Sequence, residues 1–314
     1  MREIKTVSVF GAGKMGTGIA QMFATGGYPV LLWAVDEAEK ERSAQVIDQN
    51  LRLVTENELI DPARIPEIKE KIRITTDYDL CAKQADLVVE AILEKMDLKQ
   101  NFFRKIDAMT DPDVILCTNT SVMSVTEIAS TSEHRERIVG THFWNPPYIV
   151  PLVEVVKTEY VADGIAERVR DVLCGIGKKA IIAKKDVPGF IANRMQNALG
   201  REAVSIIEHG IADAADVDIA VKYGFGMRLG SIGPIEQIDS IGADLCLSIA
   251  DYVYPYLEAS PKASPYLREK VEQNLLGFKT GGVGIQNWTP EQMQEFQERS
   301  VRDLIAIGKA LNMF

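Results

Sequence analysis

Through the first 186 positions, short apolar runs rich in β-branched residues alternate with stretches whose apolar positions recur at helical spacing. That alternation predicts β-α-β units and a parallel sheet. Strands are expected at residues 6–10, 30–35, 87–92, 114–118, 138–143, 152–156 and 180–183. One helix is expected from Lys14 to near Gly26-Gly27, with others over 37–55, a proline-interrupted piece at 62–71, 95–109 and 164–175. Ser124-Val-Thr-Glu127 has the spacing of a capping box and predicts a short helix. The pattern changes after Asp186. From Pro188 onward no run alternates cleanly with a period of two, and helices are expected at 190–208, 214–223, 234–254, 265–276 and 290–311. The architecture expected is an α/β domain over residues 1–186 followed by a smaller all-helical domain over 187–314.

Composition narrows the class without changing the fold. With 314 residues, 46% hydrophobic and 25% charged, the chain is that of a soluble globular protein large enough for two cores. Only 23 glycines and 4 cysteines exclude a collagen-like or disulfide-scaffold protein. No uncharged apolar run approaches the ~18 residues that span a bilayer. The opening Met1-Arg-Glu-Ile-Lys5 lacks the parts of a secretory leader, so a cytoplasmic protein is expected. The net charge of −10 and the absence of a basic stripe point away from nucleic acid and membrane surfaces as partners. Lys178-Lys179 and Lys184-Lys185 read as solvated strand ends. Cys81, Cys117, Cys174 and Cys246 are scattered, with no CxxC and no neighbouring His. They read as buried thiols in a reducing compartment, with no metal site and no disulfide frame.

The strongest local motif is Gly11-Ala-Gly13-Lys14-Met15-Gly16, placed directly after the apolar run Val7-Ser-Val-Phe10 and directly before a helical pattern. In that context Gly11 makes a tight turn, Gly13 admits a pyrophosphate to the backbone, and Gly16 lets helix and strand pack closely. The helix N-terminus supplies free N–H groups and partial positive charge, as in a Rossmann-type doubly wound sheet. Asp36 ends the second strand 20 residues past Gly16, where a carboxylate accepts ribose hydroxyls and repels a 2′-phosphate. Glu37 follows it. The charge logic selects NAD over NADP.

Only three histidines are available as acid or base near neutral pH. His134 lies in a charged connector and reads as solvated; His209, at a helix end, reads as structural, a cap. His142 closes a strand, before the turn-forming Phe143-Trp-Asn-Pro-Pro147, and ligands of open α/β sheets bind at such strand ends. Glu154, 12 residues on, stands in the apolar run Pro151-Leu-Val-Glu-Val-Val156. It either orients His142 across the 145–147 turn, as in a base–orienter pair, or sits exposed at a strand edge. Ser121 ends the polar segment Thr118-Asn-Thr-Ser121, and Asn193 lies near the start of the first helix of the second domain. Each also fits a capping or surface role.

Taken together these residues resemble the L-3-hydroxyacyl-CoA dehydrogenases, including the short-chain 3-hydroxybutyryl-CoA enzymes. The likeness covers nearly the whole chain: the Gly11–Ala20 segment, Asp86-Leu-Val-Val-Glu90-Ala91 with Glu94, Thr118-Asn-Thr-Ser121, His142-Phe-Trp-Asn-Pro-Pro147, Glu154, and Asp186-Val-Pro-Gly-Phe-Ile-Ala-Asn193-Arg194. The resemblance implies His142 as general base, Glu154 as its orienter, and Ser121 and Asn193 as hydrogen-bonding partners of the substrate oxygen. It places Gly11, Gly13, Lys14, Met15, Gly16 and Asp36 at the adenosine half of NAD, and Glu94, Lys99 and Asn119 near the nicotinamide half. It further implies a small-molecule substrate in a cleft between the two domains and a homodimer joined through the helical domain. The reaction implied is the interconversion of a short-chain L-3-hydroxyacyl-CoA and its 3-oxoacyl-CoA by hydride transfer, a step of fatty acid metabolism.

Two departures bear on the substrate. The family's Lys-Thr-Gly-Lys-Gly-Phe-Tyr type segment is replaced by Lys279-Thr-Gly-Gly-Val-Gly-Ile-Gln-Asn-Trp288, and Trp144 is a bulky choice beside the base. The runs at 145–154, 184–190 and 288–292 resemble a branch that includes the 5-formyl-3-hydroxy-2-methylpyridine-4-carboxylate dehydrogenase of vitamin B6 degradation, which takes a small ring aldehyde without CoA. An acyl-CoA and a small CoA-free acid or aldehyde are therefore both open as substrates. A reading of a different class is a non-catalytic NAD-binding structural or sensory protein.

Overall fold

The structure, a computed structural model, describes residues 2–314. Compactness divides the chain into one unit running to Arg194, with the C-terminal Phe314, and a second unit spanning Met195–Met313. The first holds an eight-stranded sheet in the order β3-β2-β1-β4-β5-β6-β7-β8. The strands are β1 (Val7–Phe10), β2 (Val30–Trp33), β3 (Ile72–Thr75), β4 (Leu87–Glu90), β5 (Ile115–Thr118), β6 (Ile138–Phe143), β7 (Leu152–Val156) and β8 (Lys179–Ala183). All neighbouring pairs are parallel except β6 with β7. The helices of this unit are α1 (Lys14–Thr25), α2 (Glu37–Glu56), α3 (Ile65–Glu70), α4 (Tyr78–Gln84), α5 (Met96–Met109), α6 (Val125–Ala129) and α7 (Ile165–Gly175).

Residues of β1, β4, β5 and β6 are buried throughout, which is why they read as unbroken apolar runs. One core lies between the sheet and α1, α2 and α7, built on Val9, Ile19, Phe23, Leu32, Val89, Val139 and Val153. The other packs Phe10, Phe103, Ile106, Leu116 and Ile138 with α4, α5 and α6. The sequence reading missed β3 and α4. Only the partial burial of Ile72-Arg-Ile-Thr75 at the sheet edge marks β3, and a four-residue edge strand leaves almost no periodic signal.

The second unit consists of α8 (Ala192–Glu208, which begins in the first unit), α9 (Ala214–Tyr223), α10 (Gly226–Leu229), α11 (Pro234–Ile241), α12 (Ala243–Val253), α13 (Pro265–Glu272) and α14 (Pro290–Ala310). Among the described residues its only β pairings are isolated bridges at Gly277, Val283 and Asn287. The single helix expected at 234–254 is broken in two. Gly242, at φ +95°, takes a conformation that a helix excludes and that only glycine adopts cheaply.

Residues in the stretch 186–193, just past the expected boundary, are hydrogen-bonded to the sheet-bearing unit. Asp186 Oδ2 accepts from the Ser124 hydroxyl at 2.6 Å and the Thr126 N–H at 2.7 Å. Glu154 Oε1 accepts from the N–H groups of Ile191 and Ala192 at 2.9 and 3.0 Å. The thiols also depart from expectation: Cys81 and Cys117 are buried, while Cys174 is exposed and Cys246 half-buried. No helix among the described residues is long and apolar enough to cross a membrane.

A buried ion pair anchors the strand that carries His142. Arg137, just before β6, donates from Nε and Nη2 to Asp107 Oδ1 at 3.0 and 2.6 Å, and to the carbonyls of Asp107, Asp111 and Val114. Asp107 Oδ2 accepts the N–H groups of Glu133 and His134. His134, read as solvated, has its imidazole 3.4 Å from Asp107 and is only partly exposed. Burial opposes the Asp107 charge, but the His134 N–H, the Arg137 guanidinium and the Glu133 N–H outweigh it and hold the carboxyl below its ordinary 3.8. Its stabilisation is therefore complete above that value and is lost as pH falls through the lower folded-state value. Asp107→Asn is expected to cost about 3–5 kcal/mol by leaving Arg137 unpaired, read as a lower urea midpoint at neutral pH with an unchanged slope.

Candidate active site

The C-terminal ends of β1, β4, β5 and β6 lie along one edge of the sheet, since Phe10 is in register with Glu90, Glu90 with Thr118, and Thr118 with Gly140. Gly11, Gly13, Lys14, Met15, Gly16, Glu94, Asn119, Ser121 and His142 sit at or just beyond that edge. The glycine loop connects β1 to α1. A Cβ on Gly11, which has φ +103°, would stand 2.6 Å from the Ala91 carbonyl oxygen, and one on Gly16 would stand 1.8 Å from the Gly11 carbonyl oxygen. A Cβ on Gly13, the N-cap of α1, would meet nothing within 4 Å. Two glycines are thus demanded by the fold, and the third opens a space beside free helix N–H groups. Lys14 is exposed and Met15 half-buried in the first turn of α1. This cradle fits the pyrophosphate of a dinucleotide. Asp36, expected to end the second strand, lies three residues past the end of β2 and caps α2, its Oδ1 accepting the Glu39 N–H at 2.7 Å, and it remains exposed.

A second cluster joins the ends of β4 and β5. Lys99 is 1% exposed, with Nζ 2.7 Å from Glu90 Oε1 and 3.2 Å from Glu94 Oε2. Thr118 donates to Glu90 Oε2 at 2.6 Å, while Thr120 and the Ser121 N–H donate to Glu94 Oε1 at 2.5 and 3.0 Å. Partial burial opposes the Glu94 charge, but the Thr120 hydroxyl, Lys99 and the Ser121 N–H outweigh it and keep the carboxyl below its usual range. Lys99 therefore spends its charge inside the fold on two carboxylates. Glu90 was quoted in the sequence only as part of a motif; a carboxylate inside an apolar strand was the signal for its role. Asn119 Oδ1 accepts the Phe143 N–H at 2.9 Å, tying the end of β5 to the residue after His142.

The antiparallel pairing of β6 and β7 sets His142 directly opposite Glu154. His142 is 5% exposed and Glu154 wholly buried, and the Nδ1–Oε2 distance is 2.7 Å. The open choice left by the spacing is thereby resolved in favour of contact. Burial opposes the Glu154 charge, yet the imidazole and the N–H groups of Ala192 and Ile191 together hold its carboxyl below the usual range. Trp144 adds its indole N–H to Oε2 at 3.3 Å. The rings of Trp144 and Phe190 lie 5.5 and 5.7 Å from the imidazole. Asn193 Nδ2 donates to the Ser121 carbonyl at 3.0 Å, so these two expected site residues meet through a backbone oxygen. His209 bonds the Ser205 carbonyl at the end of α8, in keeping with a cap. Among the described residues no group of His, Cys, Asp or Glu is arranged to hold a metal ion.

The family model for the NAD binding domain of 3-hydroxyacyl-CoA dehydrogenase matches residues 6–187, and that for the C-terminal domain matches 189–286. The chain belongs to the 3-hydroxyacyl-CoA dehydrogenase family. It is 32% identical, over 98% of both chains, to the 5-formyl-3-hydroxy-2-methylpyridine 4-carboxylate 5-dehydrogenase of Mesorhizobium japonicum. It is 35% identical to the human mitochondrial hydroxyacyl-coenzyme A dehydrogenase, over 88% of this chain and 90% of that one. A crystal structure of a 5-formyl-3-hydroxy-2-methylpyridine 4-carboxylic acid 5-dehydrogenase, described as an NAD+ dependent dismutase, superposes with a TM-score of 0.91 at 32% identity and 99% coverage of both. The (S)-3-hydroxybutyryl-CoA dehydrogenase of Ralstonia eutropha gives 0.75 at 31% identity, covering 91% of this chain and 100% of that one. This dehydrogenase is an NAD-dependent oxidoreductase with a Rossmann-type domain followed by a helical one.

The different demands on the three glycines separate fold from cofactor. Gly16→Ala is expected to lower the melting temperature through its clash with Gly11. Gly13→Val is expected to leave the melting temperature unchanged while weakening NADH binding, measured by fluorescence titration, by roughly tenfold or more, since the side chain occupies the space left for phosphate.

Proposed function

We propose that this enzyme oxidises a hydroxyl-bearing carbon of a compact, CoA-free carboxylate, a hydroxy acid or a hydrated ring aldehyde, with His142 as general base. The observation that supports the chemistry is the 2.7 Å contact of His142 Nδ1 with a wholly buried Glu154. With Nδ1–H donated to the carboxylate, Nε2 is the unprotonated nitrogen and takes the substrate O–H proton; the Glu154 charge then steadies the imidazolium. Ser121 and Asn193, joined through the Ser121 carbonyl, supply a hydroxyl and an amide to orient the substrate oxygen. Bound NAD supplies the nicotinamide C4 that receives the hydride. The glycine loop and α1 N-terminus would hold its phosphates and Asp36 its ribose, and Glu94 and Asn119 would serve its nicotinamide half.

The CoA-free reading is supported by the likeness to the pyridine-carboxylate dehydrogenase, which extends over the whole chain with a TM-score of 0.91, and by the Trp144 ring against the base. The second reading, a short-chain L-3-hydroxyacyl-CoA dehydrogenase, rests on both family models and on 35% identity to the human hydroxyacyl-coenzyme A enzyme. NADH formation with 3-hydroxybutyryl-CoA, free 3-hydroxy acids and aromatic aldehydes carrying a carboxylate separates them. Turnover with the thioester alone would overturn the first. His142→Gln is expected to lower kcat roughly 100- to 10,000-fold while NADH binding stays unchanged; wild-type turnover would overturn the assigned base.

We further infer that two copies pair through the helical unit. Helices α8 to α13 contain no buried residue, and Met227, Ile235, Leu247 and Tyr252 are each more than 60% exposed. A unit of this length without a core of its own needs an equal partner to supply one. Sedimentation is expected to give twice the mass of one chain, and Leu247→Asp to dissociate it. The free cysteines fit a reducing compartment, the cytoplasm.

A further inference from the structure

Lys178 overturns the reading of the Lys178-Lys179 pair as a solvated strand end. Lys179 is exposed, but Lys178, one residue before β8, is 8% exposed. Gly177, at φ +87°, turns the chain so that the side chain enters the protein. Its amine donates to the carbonyls of Pro147 and Val150, the latter at 3.0 Å, and among the described residues no carboxylate pairs with it. Burial pushes the amine down to about 8. Its charge is therefore a cost to folding at neutral pH, where an aliphatic side chain would carry none.

What the amine holds is the segment between the base and its orienter. Residues 144–150 connect β6 to β7, and their turn is closed internally by the Ile149 and Val150 N–H groups on the Pro146 carbonyl. The same segment meets the nucleotide-binding helix at Gly18, where a Cβ would stand 2.5 Å from Pro147 Cγ and 3.3 Å from Tyr148 Cδ1. Its first residue, Trp144, donates to the oxygen of Glu154 that binds His142. Neither the amine nor Gly18 touches the imidazole; both act on the loop.

We propose that Lys178 is a positioning residue for the His142–Glu154 pair, fixing the 144–150 loop from the Pro147 and Val150 carbonyls so that the Trp144 indole N–H stays on Glu154. This rests on the reading of His142 as the base. With the loop released, Glu154 keeps its contacts to the imidazole and to the N–H groups of 191 and 192 but loses the third side that limits its rotation. The base is then less well aimed, and NAD is held as before.

Two variants displace the loop independently. Lys178→Met removes the grip, and Gly18→Ala pushes on Pro147 while favouring the helix that bears it. Full-length protein labelled at the indole nitrogens gives three Nε1–H resonances, from Trp33, Trp144 and Trp288, with Trp144 assigned by Trp144→Phe. Both variants are expected to shift the Trp144 resonance alone. Both are also expected to lower kcat roughly 10- to 100-fold, with KM for NAD and NADH affinity unchanged. An unmoved Trp144 resonance, an unchanged kcat, or a loss of kcat with all three resonances displaced would each overturn the proposal. His142→Gln is assayed beside them on every substrate the wild type turns over. If it retains full turnover, the reading of the base fails; if it is inactive while Lys178→Met keeps the full wild-type kcat, the positioning role alone fails. If no substrate of the panel is turned over, the Trp144 resonance decides whether Lys178 holds the loop.

Discussion

A carboxylate with no solvent exposure must be surrounded by donors, and Glu154 collects four: the imidazole of His142, the indole of Trp144, and the backbone N–H groups of Ile191 and Ala192. Each donor comes with a structural obligation. The imidazole requires β7 to run antiparallel to β6 with His142 opposite Glu154. The indole requires the turn between those strands to keep its shape. The two backbone groups require the chain to leave β8 and return over β7 before α8 begins, through Gly189 and Phe190, both at positive φ. An unpaired buried carboxylate costs several kcal/mol, so the fold must bring these donors together around it.

The parallel part of the sheet was legible because its strands are buried on both faces and bounded by glycines or polar turns. The glycine loop was legible for the same physical reason that it exists: Gly11 and Gly16 sit where a Cβ would strike backbone. The edge strand β3 was not, because four half-buried residues beside polar neighbours carry no pattern that distinguishes them from a loop. Nor was the break at Gly242, since one glycine within an apolar helical pattern is tolerated more often than it interrupts. At the site, the contact of Glu154 with His142 depended on a register that spacing alone left open. Glu90 and Lys99 show the same limit. Nothing in their local sequence reveals that the two side chains meet inside the protein, 2.7 Å apart.

Lys178 was misread for a general reason. A lysine pair beside an apolar strand is solvated in most proteins, and only a tertiary arrangement that brings backbone carbonyls to one amine makes burial tolerable. That arrangement belongs to the 144–150 loop, 28 or more residues earlier in the chain. Sequence patterning reports which face of an element is buried; it is silent on which loop will use a side chain as its fastening.

The three deeply buried cations among the described residues share a feature that bears on how an acidic protein holds an anionic ligand. Lys99 is committed to Glu90 and Glu94, Arg137 to Asp107 and neighbouring carbonyls, and Lys178 to the Pro147 and Val150 carbonyls. Each fastens elements that lead to the strand ends where the ligand is held, so buried positive charge is used for architecture. In the proposed function, attraction for a dinucleotide then falls to the backbone, through the N–H groups at the start of α1 and the space beside Gly13. Backbone donors carry no net charge to neutralise, and their direction is fixed by the helix. In the proposed function they would bind phosphate by position, and the cradle that fits it stands at the tight junction of β1 and α1 of a chain whose net charge is −10.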